Sequence, residues 1–259
     1  MGTITSMWEK AIDTNRALNQ GRNNRKIEKR KSTVKRYLIL AGLVLMVFLM
    51  SIGTAFAAST PDFTQTINAG TLSTDILDAS RVTVASPSAA LTAKTFSFSC
   101  QSGGSASTGT LGSGTQRLYV MNPSAAANGF TLTIAATSGA TSKWANTGVT
   151  KTYDFNDSAT SGCSDGADAD SISGQLTIDP SVGTLTTDCL SCTSTSITKG
   201  SSSAFVQGTT DSITLLNAAA GSDDIWRGYL TGTSLSQTIP AEQAPDSYTI
   251  NLTVTVTAS

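Results

Sequence analysis

Residues 153–174 read YDFNDSATSGCSDGADADSISG and gather five aspartates, Asp154, Asp157, Asp165, Asp168 and Asp170, with Asn156 and Cys163. Calcium takes six to eight oxygen ligands, and alternate Asp residues in a turn supply them. Asp168 and Asp170 stand two apart, the spacing of a calcium loop. The EF-hand pattern D-x-[DN]-x-[DN]-G is not met, and no Glu follows to close a coordination sphere. Asp, Asn, Ser and Gly are also the ordinary residues of Asx turns. Two readings therefore stand: a calcium site that stiffens the loop, or a polar turn-rich loop.

Other chemistry is sparsely provided. The chain of 259 residues has no His. A Ser-His-Asp nucleophile is thereby excluded, since its base is missing. Lys199 and Ser201 offer a Ser-Lys pair only nominally, without the partner motifs of that chemistry. Glycoside hydrolysis needs two opposed carboxylates. Glu242 is the sole Glu after residue 36, and no motif selects an aspartate pair. No Gly-rich loop opens a helix to hold a nucleotide. The expectation is a protein that is not an enzyme, with calcium as its one candidate cofactor.

Four cysteines, Cys100, Cys163, Cys189 and Cys192, fit two disulfides in an oxidising compartment. Their connectivity stays open among three pairings. Cys189-Leu-Ser-Cys192 is a CxxC, but no βαβ context surrounds it, and a zinc site would want further Cys or His. Phe130, Trp144 and Trp226 are candidate contacts for a surface ligand, because aromatic faces stack on flat partners. The plainer reading makes each of them a core residue of a β-sandwich.

The elements that must position these residues are strands. YTINLTVTVT alternates Tyr248, Ile250, Leu252, Val254 and Val256 with polar residues, and GFTLTIAA repeats the pattern with Phe130, Leu132, Ile134 and Ala136. Period-two alternation gives one buried face and one wet face. KTFSFSC places Phe96, Phe98 and Cys100 on one face and predicts a strand. RLYVMN, KTYDF, GQLTID, DSITLL and TSLSQTI are shorter candidates, bounded by turn residues. STDILDAS and TLLNAAAG are candidates for short helices. Many short strands with turn punctuation predict an all-β fold, a β-sandwich of Ig-like or jelly-roll-like type, in a single domain over residues 58–259.

The amino-terminal segment is different in kind. Residues 1–36 hold ten of the 17 Lys and Arg. The remainder carries seven basic against fifteen acidic residues, a net of −8. The basic run RNNRKIEKRKSTVKR leads into YLILAGLVLMVFLMSIG and then TAFAAST, with Ala55 and Ala57 in a small-x-small pattern. A basic segment, an apolar segment and an A-x-A site make an export signal over residues 1–57. If uncleaved, residues 37–58 serve as a signal anchor, since about 20 apolar residues span a bilayer. Either way residues 58–259 face outward. The basic run abuts this signal, so no nucleic-acid partner is expected.

Three stretches carry a resemblance to a known family: LYVMNPSAAANGFTLTIAATS, SITLLNAAAGSDDIWRGYL and TSLSQTIPAEQAPDSYTINLTVTVTAS. Together they resemble the WxL-type cell-surface domain of bacteria, over roughly residues 64–259. The family's two Trp-x-Leu positions correspond to Phe130-Thr131-Leu132 and Val254-Thr255-Val256, so both Trp are replaced. The resemblance implies a secreted β-sandwich held non-covalently at the cell surface. The expected partner is a cell-wall polymer or, alternatively, further copies of the chain in a surface layer or fibre.

Overall fold

The computed structural model describes residues 38–43, 65–124, 129–166 and 170–259. Residues 38–43 are helical. The rest of the expected export signal lies outside the described residues. No helix among the described residues is long and apolar enough to cross a membrane. Residues from Thr66 to Ser259 form one compact unit.

Its described residues form fifteen strands in antiparallel sheets: β1 Ser73–Leu77, β2 Ser107–Leu111, β3 Arg117–Asn122, β4 Phe130–Ala136, β5 Trp144–Asn146, β6 Thr152–Tyr153, β7 Gln175–Asp179, β8 Thr184–Thr187, β9 Ile197–Lys199, β10 Ser203–Ala204, β11 Ser212–Ala218, β12 Trp226–Thr231, β13 Thr233–Thr238, β14 Tyr248–Thr249 and β15 Leu252–Ala258. The sheet orders are β1-β3-β12-β8, β10-β7-β13-β2, β15-β4-β11-β9 and β14-β5-β6.

The first two sheets are halves of one bent layer. β12 pairs with β3, and after a single residue β13 pairs with β2. That residue is Gly232, at φ 75°, a left-handed conformation that glycine adopts without a Cβ penalty. Its N–H donates to the Gly112 carbonyl at 2.8 Å. The third sheet supplies the facing layer. Phe130 of β4 packs on Trp226 of β12 with ring centroids 5.6 Å apart. Inward side chains of both layers merge in one core that includes Leu118, Val120, Leu132, Ile134, Leu176, Ile178, Leu215 and Leu230. The all-β sandwich expected from the alternating strands is what the chain forms.

On its outer face the first sheet is tied across its width. Asp188, just after β8, accepts both Nε and Nη2 of Arg81 at 2.8 Å and the Tyr119 hydroxyl at 3.0 Å. Arg227 of β12 donates Nε to the Asp188 carbonyl at 2.7 Å. Arg81 follows β1, Tyr119 lies on β3, and Asp188 follows β8, so the carboxylate and carbonyl of one aspartate together link all four strands, with Arg227 Nε also 3.5 Å from the carboxylate. The Arg81 guanidinium holds the Asp188 carboxyl down at about 2, although some burial opposes it.

Four expectations are corrected. Residues 94–100 form no strand, and Phe96 and Phe98 are exposed, at 42% and 79%. The two rings meet edge-on at 5.0 Å, and no strand pairs with this segment, so alternation there finds no core to face. STDILDAS contains β1 and not a helix, because pairing with β3 outweighs its helical tendency. TLLNAAAG falls partly in β11. The register shift between Thr214 and Leu216 explains why its apolar residues do not alternate: at this bulge Leu215 and Leu216 are both buried. YTINLTVTVT divides at Ile250-Asn251 into β14 and β15, which belong to different sheets.

Candidate functional site

The acidic loop is braced from within. Asp154 and Asp157 are buried. Asp154 accepts the Phe155 N–H at 2.8 Å, and Asp157 accepts the Gly166 N–H at 3.1 Å. Asp170 accepts the Ile172 N–H at 2.9 Å and forms an ion pair with Lys143. Asp165 is exposed, and Asp168 lies outside the described residues. The backbone closes the base of the loop: Asp157 N–H donates to the Gly174 carbonyl at 3.0 Å and Asp154 N–H to the Ser173 carbonyl at 2.9 Å. Among the described residues no three His, Cys, Asp or Glu side chains come close enough together to hold a metal ion. These carboxylates are thus engaged in Asx-type bonds and an ion pair that hold the loop to the body.

Both disulfides form. Cys100 joins Cys163 with Cα atoms 5.6 Å apart, and Cys189 joins Cys192 at 5.8 Å. The first ties the strandless segment 94–100 to the acidic loop. The second makes the CxxC a local bridge beside β12, where the Arg227 N–H donates to the Cys189 sulfur at 3.2 Å. Two bridges in one domain fit an oxidising, extracellular setting.

Two of the three candidate aromatic contacts are withdrawn from the surface. Phe130 and Trp226 are fully buried and pack on each other, so neither can stack on a surface ligand. The Trp226 ring lies over Gly228, where a Cβ would come within 2.4 Å of it. Only Trp144 is partly exposed. It stacks on Tyr153 at 5.8 Å with rings 7° apart, and it donates its indole N–H to Gln237 Oε1 at 2.8 Å.

Trp144 also borders a feature that the aromatic residues alone did not announce. β1 and β15 are edge strands of facing sheets, and they approach each other along one side of the sandwich. Next to them opens a groove of about 320 Å³. Leu118, Ile134, Leu176 and Leu235 form its floor, and Ile76, Leu91, Leu111, Trp144, Ile250, Leu252 and Val254 its walls. The floor residues belong to the main core. The groove is therefore a cleft with an apolar floor that reaches the interior, and Gln116, Tyr248 and Asn251 add polar groups to its lining. Such a lining can bind apolar side chains or an extended peptide.

β15 completes the feature. It pairs with β4 on one edge and with no strand on the other among the described residues. The Ser259 N–H donates to the Gly129 carbonyl, and the Thr137 N–H donates to the Asn251 carbonyl. Odd-numbered residues thus turn their backbone groups toward β4, and Leu252, Val254 and Val256 turn theirs outward. No charged residue or proline lies in residues 247–259. Natural edge strands are usually blunted by charge, proline or a bulge, and this one is not. The sequence held one signal for it, the uncharged run 247–259, in which alternation alone shows one buried and one wet face and says nothing of an open edge.

Comparison of the chain with protein-family models, with curated proteins and with solved structures returns no match.

Proposed function

We propose that this chain is an exported, non-enzymatic surface protein whose sandwich assembles with further copies of itself into a surface layer or fibre. The observation that carries this reading is the unprotected edge of β15 beside an apolar groove. An edge strand without charge or proline is a template for pairing with another chain. Export is supported by the basic and apolar amino-terminal runs with their A-x-A site and by the two disulfides. The lack of any His supports a structural role. Electron microscopy and sedimentation of the full chain, solubilised in detergent, test the proposal. Regular oligomers that grow with concentration are expected, and a monomer at every concentration defeats it.

Association with a cell-wall polymer is the second reading. It is supported by the WxL-like stretches, of which residues 130–136 and 252–258 form neighbouring strands in one sheet. Of the three aromatic candidates, burial of Phe130 and Trp226 leaves Trp144 to stack on a sugar ring. Retention of the full chain on purified wall is the measurement that would favour it.

A further inference from the structure

We propose that the groove beside β15 receives residues 66–70 of a second copy, added as a strand on the free edge with Ile67 seated in the groove. This rests on the self-assembly reading and names its contact.

The donor segment is TINAG, exposed throughout. Ile67 is 86% exposed, so its apolar surface is free to be buried by a partner. No strand pairs with residues 66–70 among the described residues. Between Asp62 and Asp75 the sequence carries no charge, and neither do residues 247–259. The rest of the exported part is net acidic, and a contact between these two neutral strips adds no like-charge repulsion of its own.

Position decides how the two parts meet. The Gly70 N–H donates to the Pro123 carbonyl, just past the end of β3, and Ser73 pairs with Met121. The groove opens toward the other end of the same strands, near Gly112, Leu118 and Ile134. Gly70, where the donor segment leads toward β1, therefore lies at the end away from the groove. Five extended residues span roughly 17 Å and cannot turn back to fill their own groove. A donor at one end and an acceptor at the other make a heterologous contact, and such contacts propagate as open chains.

The test uses full-length chains in detergent, followed by sedimentation velocity. Ile67→Asp removes the donor and leaves the acceptor. Val254→Pro removes an outward N–H and leaves the odd-numbered ladder with β4, a place where an edge strand accepts proline. The wild type is expected to form long oligomers and each variant alone to stay monomeric. An equimolar mixture is expected to give heterodimers and nothing longer, because each pair has one working contact. Should circular dichroism show Val254→Pro unfolded, Thr255→Lys places a charge on the same edge and takes its role. If Ile67→Asp assembles like the wild type, the inference is wrong while self-assembly stands. The edges of two β15 strands, or another occupant of the groove, would then hold copies together. If the wild type never assembles, the proposed function falls and this inference with it.

Discussion

β4 and β15 run side by side in one sheet and read almost alike, FTLTIAA against LTVTVTA. Both alternate apolar and polar residues, and their apolar residues sit directly opposite each other: Ile134 faces Val254 and Leu132 faces Val256. On β4 every apolar residue of that face is buried, whereas on β15 the corresponding residues are only half-buried. The difference lies outside both strands. β4 has neighbours on both edges and the bent layer beneath it, while β15 is the last strand of its sheet and stands over a groove. Identical patterns thus serve two purposes, one sealing a core and the other offering an edge.

The largest test of this contrast is a pair of truncations at facing positions. Ile134→Ala should cost about 2–5 kcal/mol, since its side chain is fully buried beneath the groove and its loss leaves a cavity among core residues. Val254→Ala should cost about 1 kcal/mol in the monomer, because its side chain already borders open space. Urea denaturation of both variants measures the gap, and equal losses would erase the distinction. A somewhat smaller effect is expected at Gly228, beneath the Trp226 ring that packs on β4. Gly228→Ala should overpack the closed side by about 1–3 kcal/mol. Thr253→Ala, on the exposed face of β15, should stay within about 0.5 kcal/mol in the same assay.

Hydrogen exchange resolves the two edges of β15 itself. In the monomer the amides of Thr253, Thr255 and Thr257 should exchange slowly, because they face β4. Those of Leu252, Val254 and Val256 should exchange at least about tenfold faster, equivalent to about 1.4 kcal/mol. Assembly should slow only the second set. Uniform protection in the monomer would mean that the outer edge is already covered.

The smallest effect concerns the clasp of the first sheet, a titratable device that β15 lacks. The Asp188 carboxyl is held below its unfolded value of about 3.9, chiefly by Arg81. Its contribution is therefore present above pH ~4 and is lost as pH falls toward about 2. Arg81 is half exposed, so the loss should be no more than about 1 kcal/mol. Asp188→Asn should remove that part of the acid dependence in thermal melts at pH 2 to 5. An unchanged acid limb would mean that the clasp contributes no stability.

Legibility in the sequence followed locality. RLYVMN is β3 residue for residue, and GFTLTIAA and GQLTID contain β4 and β7, because alternation there coincides with burial on one face. KTFSFSC misleads because two aromatics at spacing two say nothing of whether a partner strand exists. The β11 segment misleads because a bulge breaks its period. The aspartates were visible as a cluster, but their partners were not. Lys143, the Phe155 N–H and the Gly166 N–H reach them only after the loop has folded. The groove was illegible for a related reason: Ile76, Leu118, Ile134, Leu235 and Leu252 come from five strands, and a void between strands leaves no mark on any one of them.

The sequence by itself determined that the chain is all-β, has no His for a Ser-His-Asp triad, carries an even set of cysteines and holds an uncharged alternating run over residues 248–257. These follow from residue type and short spacing, which composition and backbone period control directly. Tertiary structure alone decided which cysteines pair, which aromatics are buried, and which of two like strands is left at an open edge. Those outcomes depend on contacts between residues far apart in the chain, where the neighbour and not the residue sets the burial.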